Sequence, residues 1–280
     1  MTIDLFHNVS SECSRRVTVR YSTSFSSAIK LLHKDLQQPI YNIYGFVRFA
    51  DEIVDTFHGY DKQTLLDQFK SETFDAIERG ISLNPILNSF QATVNQFEIE
   101  KSLINAFFCS MESDLTTHKY DRQGYEEYIY GSAEVVGLMC LSIFCEGNKT
   151  LYESLKASAQ ALGAAFQKVN FLRDIKADFI DLSRIYFPGC DFHNFTDTDK
   201  NKIEQDIEKD FKDAYKAILN LPLKARFGVY VAYKYYYSLF KKIKAIEPEN
   251  ILHQRIRIPN YYKAYIVFRA SVKNRLRLIE

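Results

Sequence analysis

The segment Ile40 to Val54 is too apolar for a surface helix, yet it and the residue that follows carry Tyr44, Arg48, Asp51 and Asp55. Their offsets of 0, 4, 7 and 11 place all four on one face of an α-helix. A second stripe lies downstream in AAFQKVNFLRDIKADFIDLSRIYFP, where Gln167, Asn170, Asp174 and Asp178 sit at offsets of 0, 3, 7 and 11, with Arg173 alongside. An isolated Asp-x-x-x-Asp pair reads most simply as a solvated helix face. Within an apolar helix the same pair is costly unless it is ion-paired or bound to metal. Two such stripes facing each other would line a cavity with four carboxylates, an arrangement suited to hard divalent cations. Mg²⁺ completes such a shell with water and substrate phosphates. The competing reading is structural ion pairing, for instance Asp55 with Lys30 or Asp174 with Arg184.

The elements that must position these stripes are helical. Residues 20–34 lead into a first helix broken near Pro39, and 40–56 form a second, almost wholly buried one. Residues 62–79 and 86–119 give two or three amphipathic helices separated near Asn84-Pro85, and 122–146 carry another apolar helix. A long helix spans 149–182, followed by 199–220, 224–245 and a last one from about 261 to 278. The pattern is all-α, with no hairpin signal and no composition break, so residues 1–280 are expected to form one domain.

Composition narrows the class. There are 36 Lys plus Arg against 35 Asp plus Glu, which argues against a nucleic-acid binder. A chain 46% hydrophobic and 25% charged is not disordered. Five cysteines without a Cys-x-x-Cys pair point to reduced thiols and a cytoplasmic setting rather than to a zinc site. The N-terminus lacks the apolar stretch of a signal peptide. The most apolar run, Val135 to Cys145, rises about 16 Å as a helix and falls short of a bilayer core of roughly 30 Å. No glycine spacing matches a dinucleotide fingerprint or a P-loop.

Four stretches together resemble the squalene/phytoene synthase family of head-to-head prenyl transferases: YSTSF (Tyr21–Phe25), IYGFVRFADEIVD (Ile43–Asp55), YIYGSAEVVGLM (Tyr128–Met139), and FQKVNFLRDIKAD with RIYFP (Phe166–Pro188). They occur in the family's order over nearly the whole chain. The wording of VGLM and NFLRDIKAD looks most like the bacterial phytoene synthases. The resemblance implies a helical bundle of the isoprenoid synthase type with a central cavity. It implies two isoprenoid diphosphates as substrates, Mg²⁺ (or Mn²⁺) held by Asp51, Asp55, Asp174 and Asp178, and a cyclopropylcarbinyl diphosphate on the way to a C40 or C30 hydrocarbon. By the same resemblance Ser22, Ser24, Phe25, Arg184, Gln167 and Asn170 contact substrate, while Tyr44, Arg48, Tyr130, Arg173 and Tyr186 surround the reacting centre. Phytoene from two geranylgeranyl diphosphates, without NADPH, is the first expectation. Squalene or dehydrosqualene from two farnesyl diphosphates is the second. A non-catalytic scaffold on the same fold is the third, although such a protein should have lost some of these aspartates.

The chemistry fits the residue types: carbocations need a dry cavity, aromatic faces stabilise them by about 0.5–2 kcal/mol per ring, and Arg suits diphosphate oxygens. Most of the 41 Phe and Tyr rings, including Tyr230, Tyr233 and Tyr237, must still be core. Three departures from the family stand out. The spacing from Asp178 to Arg184 is one residue longer than the family's common spacing. Glu134 replaces a small residue, and a structural partner suits it better than catalysis. Glu52 follows Asp51 but points about 100° away from the metal face. The tail from Gln254 to Glu280 has seven basic residues against one acid. An ordinary basic face is the simpler reading, with Arg255 and Arg257 open to diphosphate contact and peripheral membrane contact for product release left open.

Overall fold

Several helix ends follow directly from local chemistry. Asp61 caps α4 (Lys62–Arg79) by accepting the Thr64 N–H at 3.1 Å, and Gly80 closes it at φ +69°. Asn84 and Pro85 open α5 (Pro85–Gln96). Thr196 and Asp199 form a capping box at the start of α10 (Asp197–Ile218). The computed structural model describes residues 2–117, 119–176, 184–190, 192–251 and 255–276. Among them are thirteen α-helices and no β-strand beyond one isolated bridge, so the all-α expectation holds.

Two expectations near the N-terminus are corrected. The chain begins with a long helix, α1 (Ile3–Tyr21), followed by the short α2 (Thr23–Ile29). The buried side of α1 is Ser10, Ser14 and Thr18, which carries no apolar periodicity to read. These hydroxyls meet polar partners instead: Ser14 and Ser89 are 2.6 Å apart, and Asn88 donates to Ser10 at 3.0 Å. Pro39 does not break the chain but lies inside α3 (Lys34–Thr56). It falls in the second turn, where its ring removes the bond to the Asp35 carbonyl, and the burial of Leu36, Ile40 and Tyr41 around it outweighs that loss.

Helix α3 is the spine of the core. Phe46 is fully buried and stacks on Phe90 at 3.8 Å, with Phe69, Phe107 and Phe108 around it. The buried residues form one cluster running from Ala28 to Ala270. Helix α6 (Lys101–Thr116) packs on the continuous stretch made by α7 (Arg122–Ile129), a π turn (Tyr130–Glu134) and α8 (Val135–Cys145). By length and composition Arg122–Cys145 could cross a membrane, but 61% of its most apolar window is buried in the protein, as expected of a core helix.

Helix α9 (Lys149–Lys176) lies against α8 and α10. A Cβ on Gly163 would stand 2.6 Å from the Ala133 carbonyl oxygen, so the α9 backbone touches the π turn directly. Buried Lys168 ties α9 to α10 through Asp206 and Asp210, at 2.6 and 2.7 Å. Helices α11 (Leu223–Lys244), α12 (Pro248–Ile251) and α13 (Asn260–Arg275) complete the chain. A parallel bridge between Lys119 and Ile185 brings the segment after α9 beside the end of α6.

Candidate active site

Helices α2, α3, α6, α8, α9, α10 and α11 enclose a cavity of about 640 Å³. Its polar residues gather from both predicted stripes. From α3 come Tyr44, Arg48, Asp51 and Asp55, and from α9 come Gln167, Asn170, Arg173 and Asp174. Ser22, Phe25, Arg184 and Tyr186 line it as well. Asp178 lies outside the described residues. Apolar residues such as Ile29, Leu32, Leu141, Phe144 and Leu162 make up much of the remaining wall. Ten of the 41 rings reach the cavity and the others are spent elsewhere, chiefly in the core.

Two expected residues are not brought in. Tyr130 is 39% exposed and is absent from the cavity wall. It opens the π turn, and Tyr128, two positions earlier and thus about 200° round the helix, points inward in its place. Ser24 is likewise absent from the wall. Ser22 is the N-cap of α2, accepting the Phe25 N–H at 3.2 Å, and Ser24 leaves the same first turn on its other side.

The charges are distributed in pairs. Arg48 bridges Asp51 and Glu52, and its guanidinium stands 4.5 Å from the Tyr21 ring centre. Glu52 does not line the cavity, unlike Asp51 and Asp55. Asp55 pairs with Arg184 at 3.4 Å, not with Lys30. Asp174 pairs with Arg173 and with Arg255, the latter at 2.8 Å, and not with Arg184. Asp51 keeps 39% of its side-chain surface open, onto the cavity it lines. Its carboxyl is nonetheless pushed up to about 7, by burial first and by the neighbouring Asp55 charge second, against the pull of Arg48. Burial, then Tyr236, likewise pushes Tyr44 up to about 12. Glu134 accepts from Gln160 at 2.9 Å, a neutral structural partner.

One acid escapes the sequence reading altogether. Asp114 is buried at the end of α6, where it accepts hydrogen bonds from Tyr128 at 2.5 Å, Tyr186 at 3.2 Å and Tyr120 at 3.3 Å. Arg184 donates to its backbone carbonyl at 2.8 Å. Its carboxyl is pushed up to about 6, by burial first, with Arg184 and the Tyr128 hydroxyl opposing. The available signal is its place on the stripe Phe107, Met111, Asp114, at offsets of 0, 4 and 7, all three lining the cavity. Tyr186 stacks on Phe171 at 4.1 Å and lies 5.1 Å from Tyr128, so the acid is roofed by rings.

The donors suit a hard cation. Asp51 and Asp55 sit one turn apart on one wall, Asp174 is on another, and Asn170 directs a buried Oδ1 that has no hydrogen-bond partner. The mutual repulsion that raises Asp51 is what a divalent cation would relieve. Among the described residues no three His, Cys, Asp or Glu side chains converge closely enough to hold a metal alone, so ligand oxygens would have to share the shell.

Comparison with known proteins gives the family and the fold. Residues 18–262 fit the model of the squalene/phytoene synthase family. The phytoene synthase of Arthrospira platensis is 24% identical over 95% of this chain and 93% of its own. The presqualene diphosphate synthase of Rhodopseudomonas palustris is 25% identical over 81% and 85%. The chain spans only 61% and 60% of the chloroplastic phytoene synthases of Solanum lycopersicum and Zea mays that it matches. A crystal structure of a dehydrosqualene synthase in complex with ligand superposes with a TM-score of 0.82 at 18% identity, covering 96% of this chain and 98% of that one.

Proposed function

The chain belongs to the squalene/phytoene synthase family of prenyl transferases, and from that premise we propose that it joins two geranylgeranyl diphosphates head to head to give phytoene. The observation that carries the reading is a single cavity in which carboxylates and arginines from α3, α9 and the segment after it share space with an apolar wall. Such a wall suits prenyl chains, and the charged part suits diphosphates.

Asp51, Asp55 and Asp174 would hold Mg²⁺, which when bound supplies a Lewis acid at the departing diphosphate. Arg48, Arg173, Arg184 and Arg255 offer planar donors to diphosphate oxygens. Tyr44 and Gln167 stand beside the carboxylates, where they position the reacting ends. Phe171, Tyr186 and Tyr128 present rings to a developing allylic cation without supplying a nucleophile. The second substrate's double bond then attacks that cation, and loss of a proton closes the ring to a cyclopropylcarbinyl diphosphate. A second ionisation and rearrangement, closed by proton loss, gives the hydrocarbon. The apolar wall keeps water from the cations in both ionisations.

The alternative is a C30 product from two farnesyl diphosphates. Relatives named 4,4'-diapophytoene synthase and presqualene diphosphate synthase, both 25–26% identical, support it. Product analysis with each diphosphate, with and without NADPH, separates the two. A C40 product from the C20 substrate without NADPH is expected. A C30 product formed only from the C15 substrate overturns the phytoene reading.

A further inference from the structure

Tyr236 and Lys234 leave α11 about 200° apart, the first into the cavity and the second into a separate groove of about 560 Å³ between α11 and α13. The two concavities share no lining residue. Five cations line the groove (Lys234, Lys241, Lys242, Arg269 and Lys273), and no carboxylate does so among the described residues. Lys234 has rings in place of a counter-ion: its Nζ lies 5.1, 5.2 and 6.0 Å from the centres of Tyr230, Tyr233 and Tyr237. Burial first, and then Lys273, Arg269 and Lys241, lower its pKa, as expected where like charges gather without an anion.

A second observation comes from the exposed face of α13, whose Tyr261 and Tyr265 also line the groove. Tyr261, Tyr265, Phe268, Val272 and Leu276, the last being the helix's C-cap, fall at offsets of 0, 4, 7, 11 and 15, one continuous stripe. They are 78%, 48%, 67%, 42% and 63% exposed. The helix carries no acidic residue, and Arg269 and Lys273 border the stripe on the groove side. On this exposed face, aromatic and aliphatic side chains flanked by cations match the surface that an interfacial helix presents to a bilayer, while Ile266 and Ala270 on the opposite face are buried in the protein.

We propose that α13 and the lysines of α11 form a docking surface for an anionic phospholipid membrane, with the stripe in the interfacial layer and the groove receiving a lipid phosphate. Charge complementarity selects this occupant. A second copy related by a two-fold axis would set cations against cations. A nucleic acid would leave the apolar stripe without a counterpart. The surface places the catalytic cavity beside a phase into which a hydrocarbon product dissolves, a benefit that rests on the proposed function, whereas the docking itself does not.

The test is co-sedimentation of the full chain with vesicles of phosphatidylcholine, alone or with about one-third phosphatidylglycerol, without substrate. The expected result is at least about 100-fold stronger partitioning onto the anionic vesicles, weakened by salt. The triple variant Lys241→Gln, Arg269→Gln, Lys273→Gln should lose about 100-fold of that, at about fivefold per cation. Phe268→Ser should weaken binding to both vesicle types. All variants should keep the wild-type melting temperature and turnover of detergent-dispersed substrate. Equal partitioning onto both vesicles, no partitioning, or indifference to the triple substitution overturns the proposal. So does tighter binding of a single-stranded RNA oligonucleotide than of vesicles, or a dimer in solution that the same substitutions dissociate.

Discussion

Asp114 holds three phenol hydroxyls, and Asp51 shares its helix face with a second carboxylate and with Arg48. Both acids are pushed upward, to about 6 and about 7, so folding lifts them from an ordinary value of 3.8. A folded pKa above the unfolded one means that the native state takes up protons which the unfolded chain does not, between about pH 7 and pH 4. These two groups therefore favour the folded state increasingly as pH falls through that window. In chelator, the melting temperature measured from pH 8 down to pH 6 should rise, and Asp51→Asn should flatten the slope. For the metal-free protein, Mg²⁺ affinity measured by titration calorimetry should fall as pH drops below about 7. Asp51→Asn or Asp174→Asn should lower turnover by about 10³-fold while leaving the helical circular dichroism intact, since several kcal/mol of charge stabilisation at the departing diphosphate is lost. Full activity in both would remove the metal reading. Asp114→Asn should cost about 1–3 kcal/mol of stability by chemical denaturation, because an amide cannot accept all three hydroxyls.

At the scale of the elements, the site is held by backbone contacts as much as by side chains. Gly163 on α9 leaves no room for a Cβ against Ala133 and Glu134, and Gly131 leaves none against Ser110 and Ala106. Gly163→Val should destabilise by about 1–3 kcal/mol or more in urea unfolding, since the opposing atoms are backbone and cannot turn aside. What could be read from the chain follows the same division. The α3 stripe and the Gln167, Asn170, Asp174 part of the second are legible because helical period alone aligns residues within one element. Helix α1 was hidden because it buries hydroxyls, and hydroxyls leave no apolar rhythm. Asp114 was hidden because its partners come from α7 and from two separate segments flanking bridge residues, which no period connects. Tyr128 and Tyr130 lie about 200° apart on the helix, and the π turn that opens at Tyr130 shifts the phase of the residues after it.

At the scale of the whole molecule, near-neutrality is an average. Acids and arginines offset each other in the cavity, while the groove beside α13 is cationic and without acids among the described residues that line it. The cavity should therefore respond to paired ligands. Inorganic pyrophosphate with Mg²⁺ should raise the melting temperature, by an amount equivalent to about 2.7 kcal/mol at a hundredfold excess over Kd. Each alone should do markedly less, because neither completes the other's coordination. Equal shifts from pyrophosphate with and without Mg²⁺ would count against a shared site. The bridge between Lys119 and Ile185 has a bearing on time as well as on place. It joins positions sixty-six residues apart, with α7, α8 and α9 between them. Asp114 leaves the ribosome well before Tyr186 and Arg184, so its final hydrogen bonds wait for three intervening helices to be made and closed into a loop. The hydrogen bonds around Asp114 thus close only after α9 and the segment beyond it have been made.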